Sequence, residues 1–261
     1  MRRALAASLL GCAGCALPVV TAGTFLPAGD LRPGEFHASV SFEAGRVLAG
    51  PSDVHDGPTP LEAQPWEVST WFASDASLRW QAFERVAFEA QLKLTNPVVP
   101  FTPALVGGAL GGRVRLLQHP AGRGLAIEIA ARLVGVGVEQ RIDRSQDGRS
   151  QTDRWSYRAF GLEMPLVTTW RVNPLFAVTG APFLRVYYIR AWHTMVAGLS
   201  ETQNKLQWSP VLTGGLGVSA ALTLGPVDIA PGVAVELATR PGTNAPTHFL
   251  FEPGVSIGTR F

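Results

Sequence analysis

Residues 248–261 read HFLFEPGVSIGTRF, from His248 to Phe261. From Phe249 onward every second residue suits a nonpolar medium: Phe249, Phe251, Pro253, Val255, Ile257, Thr259 and Phe261. The residues between them, Leu250 to Arg260, are mostly small or polar. A period of two describes a strand with two unlike faces. The pattern runs to Phe261 without a polar tail, and an edge strand of that kind invites pairing with another chain. Closing the sheet on itself removes the edge.

Working back from that strand, the same alternation recurs nine times. Glu35–Val47 sets Phe36, Ala38, Val40 and Phe42 against His37, Ser39, Ser41 and Glu43. Trp66–Ala82, Arg85–Thr95, Ala104–Gln118 and Gly124–Gln140 follow, the last with a parity change at Val134, Val136 and Val138 that predicts a bulge near Gly135. Arg154–Trp170, Leu175–His193, Lys205–Leu224 and Val227–Thr239 complete the set before the final strand. The polar stretches Arg141–Asp153 and Thr194–Asn204 are expected to be loops. In chain order the connections alternate long and short, and several strands exceed ten residues. Strands of soluble domains average about five or six, whereas a tilted membrane strand needs about nine to eleven for the hydrocarbon alone.

A final amphipathic strand ending in Phe resembles the C-terminal assembly signal of bacterial outer-membrane β-barrels, carried here by Phe249, Phe251, Val255, Ile257 and Phe261. The resemblance implies an all-β fold: a single transmembrane antiparallel barrel over residues 35–261, of about ten strands, with the N- and C-termini periplasmic. It also implies the outer membrane of a Gram-negative bacterium as location, barrel-assembly machinery during insertion, and outer-membrane lipid and lipopolysaccharide as partners. Short periplasmic turns and longer extracellular loops accord with the alternating connections.

Residues 1–22 read as an export signal: Arg2 and Arg3, an apolar run to Val20, and Val20-Thr21-Ala22 as a small-residue cleavage site. Leu9-Leu10-Gly11-Cys12 and Cys12-Ala13-Gly14-Cys15 each resemble a lipobox, which makes Cys12 and Cys15 lipidation candidates. Residues 23–34 are expected to be a periplasmic lead-in. With only those two cysteines in the chain, the barrel itself holds no disulfide.

Composition narrows the rest. Mean hydropathy is +0.16 and charged residues make up 16 %, yet no apolar run beyond the N-terminus reaches the length of a membrane helix. The 28 glycines and 20 prolines suit turns and strands better than a helical bundle. The formal charge of +2 comes from Arg2 and Arg3, which leaves no basic footprint for a nucleic acid.

Trp66, Trp155, Trp192 and Trp208 fall at expected extracellular strand ends, and Trp80 and Trp170 at periplasmic ends, as interfacial girdles require. On the polar faces stand Glu43, Asp75, Arg79, Glu89, Lys93, Arg113, Arg115, Glu128, Arg132, Arg185, Glu236, Glu252 and Arg260. Opposite signs on neighbouring strands predict cross-strand pairs that brace and largely fill a narrow lumen. The expected role is structural or that of a minor channel, without enzymatic activity, cofactor or metal. Three alternatives stay open. One is a narrow anion or small-solute pore biased by Arg113 and Arg115. Another is a hydrolase at the outer rim, where His193 and His248 lie near Asp153, Ser200 and Glu201. The third is a soluble lipocalin-like barrel whose apolar face is its core. The loop arginines Arg141, Arg144, Arg149 and Arg154 could meet lipopolysaccharide phosphates.

Overall fold

The structure, a computed structural model, describes residues 31–49, 71–95, 104–118, 123–146, 149–197, 200–239 and 248–261. The expected export signal, Cys12, Cys15 and Trp66 lie outside the described residues. Ten strands follow one another: β1 (Phe36–Ala49), β2 (Trp71–Gln81), β3 (Val86–Thr95), β4 (Ala104–Leu117), β5 (Gly124–Gln146), β6 (Arg149–Asn173), β7 (Phe176–Ala197), β8 (Ser200–Leu224), β9 (Val227–Thr239) and β10 (His248–Arg260). Each pairs antiparallel with its chain neighbours, and β10 pairs with β1 to close the barrel. At that seam Phe36 N–H donates to the Phe261 carbonyl at 2.9 Å, and Phe261 N–H returns a bond to Phe36 at 3.1 Å.

Tight turns mark the end of the barrel where Phe36 meets Phe261. Ala82 and Phe83 N–H both donate to the Val86 carbonyl, each at 3.1 Å. The Asn173 side-chain oxygen accepts from the N–H groups of Leu175 and Phe176 at 2.8 and 2.9 Å, as asparagine does in turns. Gly225 has φ +63°, which a residue with a Cβ adopts only at a cost. At the same end the residues just before β1 tuck against the barrel. Gly34 N–H donates to the Gln81 carbonyl at 2.7 Å, and Leu31 is buried.

The register fixes the barrel's dimensions. One lateral row runs Arg260↔His37↔Arg79↔Glu89↔Gly111↔Arg132↔Glu163↔Arg185↔Thr213↔Ala238↔His248. It leaves β10 at Arg260 and returns to it at His248, a stagger of 12 residues. With strands ~4.8 Å apart and a rise of ~3.3 Å per residue, that stagger gives a tilt of about 40° and a backbone radius of about 10 Å.

The alternation resolves into an apolar outside and a polar inside. Leu133 is 69 % exposed and Leu110 68 %, while Arg185 is 0 % and Arg113 1 % exposed. Phe88, Leu92, Phe160, Trp170 and Leu237 are likewise exposed on the outer wall. A soluble barrel with an apolar core would have the reverse arrangement, so the lipocalin-like alternative does not describe this chain.

Three expectations require correction. Within the expected loop, Arg141–Gln146 and Arg149–Asp153 are strand: β5 and β6 pair in a single register, from Gly124↔Arg171 to Gln146↔Arg149. Thr194–Ala197 and Ser200–Asn204 are likewise strand, paired up to Ala197↔Ser200. A hairpin wet on both faces keeps its backbone ladder but has no reason to alternate, so its side chains carry no strand signal. The same unbroken register removes the bulge expected at Gly135. Val134 and Val136 instead point inward, buried beside the charges, and Gly135 faces out.

Candidate functional site

Strand alternation places a connected set of charges inside the barrel. Arg113 donates through Nε to Glu89 at 2.7 Å and through Nη1 to Glu128 at 3.3 Å. Glu128 also accepts from Arg115 Nε at 3.2 Å and lies 3.8 Å from Arg79 Nη1. Arg132 bonds Glu89 through Nε and Glu163 through Nη1 at 3.0 Å. Arg185 continues the chain, to Glu163 at 3.1 Å and to Glu236. The network thus spans β2 to β9, with each central acid shared between bases on different strands.

Glycine makes the longer reaches possible. Gly111 stands in register between Glu89 and Arg132, so β4 offers only backbone there and Arg132 crosses it. Gly215 serves β8 in the same way. A Cβ there would meet the Phe183 ring at 2.5 Å; the Arg185 guanidinium lies 3.8 Å from the centroid of that ring on its way to Glu236.

Two smaller clusters complete the lining. Lys93 Nζ contacts Glu43 at 2.6 Å and Asp75 at 3.0 Å. Near the terminal end, Asp228 accepts from Arg260 at 2.9 and 3.2 Å and from Thr223 at 2.6 Å, with His37 Nε2 at 3.5 Å. A cavity of about 10 Å³ remains beside Asp75, Gln91 and Lys93, room for a single water. Toward the tight-turn end of β6, β7 and β8 the lining is small or apolar, with Thr169 and Thr179 joined at 3.0 Å and Val167 packed on Ala181. Among the described residues no three His, Cys, Asp or Glu side chains converge as metal ligands do.

All the expected lumen residues from Glu43 to Arg260 lie on inward positions, and most are buried. Arg260 is the wettest of the paired charges, with 23 % of its side chain exposed. Glu163, Asp228 and His37 join them although the sequence reading did not place them in the lumen. Glu163 was visible between Leu162 and Met164, on the polar parity of β6. Asp228 stood opposite Val227 and Ile229 at the start of β9.

Trp80 and Trp170 face outward. The side chains of Trp155, Trp192, Trp208, His193, His248, Asp153, Ser200, Glu201, Arg141, Arg144 and Arg149 lie outside the described residues. At the seam end the outer wall carries a row of stacked rings, Phe261–Phe36–Trp80–Phe88, with centroids 5.8, 6.1 and 6.0 Å apart. Farther along the wall Phe160 stacks on Tyr188 at 5.8 Å. One step beyond, Arg158 stands opposite Arg190 on the outer wall.

A closed barrel with an apolar wall and a charged interior is the architecture of outer-membrane β-barrel proteins, and solved structures of that class resemble it. The outer membrane protease OmpT from Escherichia coli superposes with TM-score 0.50 at 10 % identity, covering 92 % of this chain and 100 % of the other. The translocator domain of autotransporter NalP from Neisseria meningitidis gives TM-score 0.48 at 12 % identity, over 99 % and 94 % of the two chains. Ail, the attachment invasion locus protein of Yersinia pestis, gives 0.33 at 12 % identity, over 88 % and 100 %. At these identities the likeness concerns the fold alone. No protein-family model and no curated protein sequence matches the chain.

Proposed function

We propose that the chain is an outer-membrane barrel of a Gram-negative bacterium with a structural or minor-channel role and no catalytic one. The observation that carries this reading is the fused network from Arg79 to Glu236, which crosses the lumen with buried, mutually committed charges. Narrow barrels are filled by their side chains, and only much wider ones leave an aqueous channel. Arg113 and Arg115 are each bound to Glu128, so neither supplies a free positive charge for an anion path. Planar-bilayer recording of the folded protein is the test. Currents indistinguishable from background are expected, and large regular steps would overturn the reading.

In the same reading both termini face the periplasm. Phe261 serves barrel assembly, the signal is removed, and Cys12 or Cys15 is the site of any lipid anchor. Outer-membrane lipid, lipopolysaccharide included, is the partner of the apolar wall. Resistance of the protein to carbonate washing, together with mass spectrometry of its mature N-terminus, tests location and anchor.

A further inference from the structure

We propose that residues 200–206 of β8 form a self-complementary edge through which two copies of this chain join across apposed membranes. The strands do not end at one height. β5 to β8 run on past the outward pair Arg158 and Arg190, while β9 reaches only to Thr239, opposite Leu212. Beyond that pair, among the described residues, β8 is bonded on one side alone. There β7 holds it in one register from Ala197↔Ser200 to Ala191↔Leu206, and a register shift follows before Ile189↔Ser209. Residues 200–206 therefore offer a regular row of backbone N–H and C=O groups on the open side, the template to which another strand is added. In the connection that follows β9, Pro241 and Pro246 have no N–H to give to a ladder.

An open edge names no occupant by itself. The stretch Ser200-Glu201-Thr202-Gln203-Asn204-Lys205-Leu206 does. Laid antiparallel on its own copy about Gln203, it sets Glu201 against Lys205 and Lys205 against Glu201, with Thr202 against Asn204 between them. Opposite charges directly across a ladder attract, and a slip of one residue either way parts both pairs. A contact in which each copy offers the same patch closes as a dimer. Direction decides where the copies sit. In one membrane every β8 runs the same way, and strands tilted by about 40° cross when two such edges meet. The antiparallel fit needs copies that face each other from two membranes, touching at the ends away from the Phe36–Phe261 seam. This role requires the barrel to lie in a membrane, whether or not the lumen conducts.

The test uses the full folded chain inserted in lipid vesicles at low ionic strength, where charge pairs are least screened. Insertion is checked by the folded band on a gel, and clustering is read as vesicle size by light scattering. Wild-type vesicles should cluster where empty ones do not, because many weak contacts between two surfaces add up. Lys205→Glu vesicles and Glu201→Lys vesicles should each lose the clustering, since each self-contact then sets like charges together. Mixed with one another they should regain it, because every contact between the two kinds sets acid against base. Inserted wild-type protein whose vesicles stay dispersed would overturn the proposal and leave the edge to a strand of another protein. Undiminished clustering of either variant would overturn it too, as would a mixture that stays dispersed while wild type clusters.

Discussion

Arg132 lies across Gly111. A Cβ built on Gly111 would sit 2.8 Å from the Arg132 Cγ and 2.3 Å from the Ala131 carbonyl oxygen. Arg132 uses that gap to bond Glu89, two strands away. Gly111→Ala should therefore push the arginine off its path and strain the β4–β5 ladder. Overpacking of this kind costs about 1–3 kcal/mol, and the loss of the Glu89 bond adds to it. The folded band of Gly111→Ala should melt at a lower temperature than wild type, whereas Gly135→Ala, with open space around it, should not change it.

Arg185 is the most deeply buried base, held by Glu163 and Glu236. Arg185→Met keeps the length and removes the charge, leaving carboxylates buried against each other. Breaking one side of a buried pair costs about 3–5 kcal/mol. Urea unfolding should show that loss, and the double variant Arg185→Met/Glu236→Gln should recover part of it. Full additivity of the two single changes would mean the pair is not coupled.

Phe261 stacks on Phe36 and exchanges both backbone bonds with it. Phe261→Ala keeps the bonds and removes the ring. If the ring serves the seam, protein refolded in detergent should lose stability. If it serves recognition during assembly, the fraction reaching the membrane in cells should fall with little change in the refolded protein. The proposed assembly role expects the second effect to be the larger, and unimpaired insertion of Phe261→Ala in cells would dismiss it.

Leu133 lies on the outer wall between Leu110 and Leu162. On a soluble protein an exposed position of this kind tolerates arginine to within about 0.5 kcal/mol. Against lipid, arginine near the bilayer midplane costs about 2–4 kcal/mol. Unfolding Leu133→Arg from lipid vesicles should show the larger figure, and a value near zero would place the wall in water.

The strand count and the inward charges were legible because a wall dry on one side and wet on the other forces alternation, as in Phe36 to Glu43. Alternation loses its hold where one medium bathes both faces. The extension of β5 to Gln146 and of β6 back to Arg149 was therefore missed, since backbone pairing continues there without any apolar demand. Val134 and Val136 misled for a related reason. A lumen needs filling as well as charge, and a valine over Gly107 fills it: a Cβ on that glycine would meet Val136 at 2.6 Å. The partnerships themselves, such as Arg132 with both Glu89 and Glu163, depend on register and on which intervening residue is a glycine. Composition and periodicity do not carry that information.

Sharing in the interior row has a mechanical consequence. Glu89 answers to Arg113 and Arg132, and Glu163 to Arg132 and Arg185. A link that lets go leaves its acid leaning on the next base, so tension passes from strand to strand around the wall. The interior charges therefore respond as a unit, and loosening one pair disturbs its neighbours first.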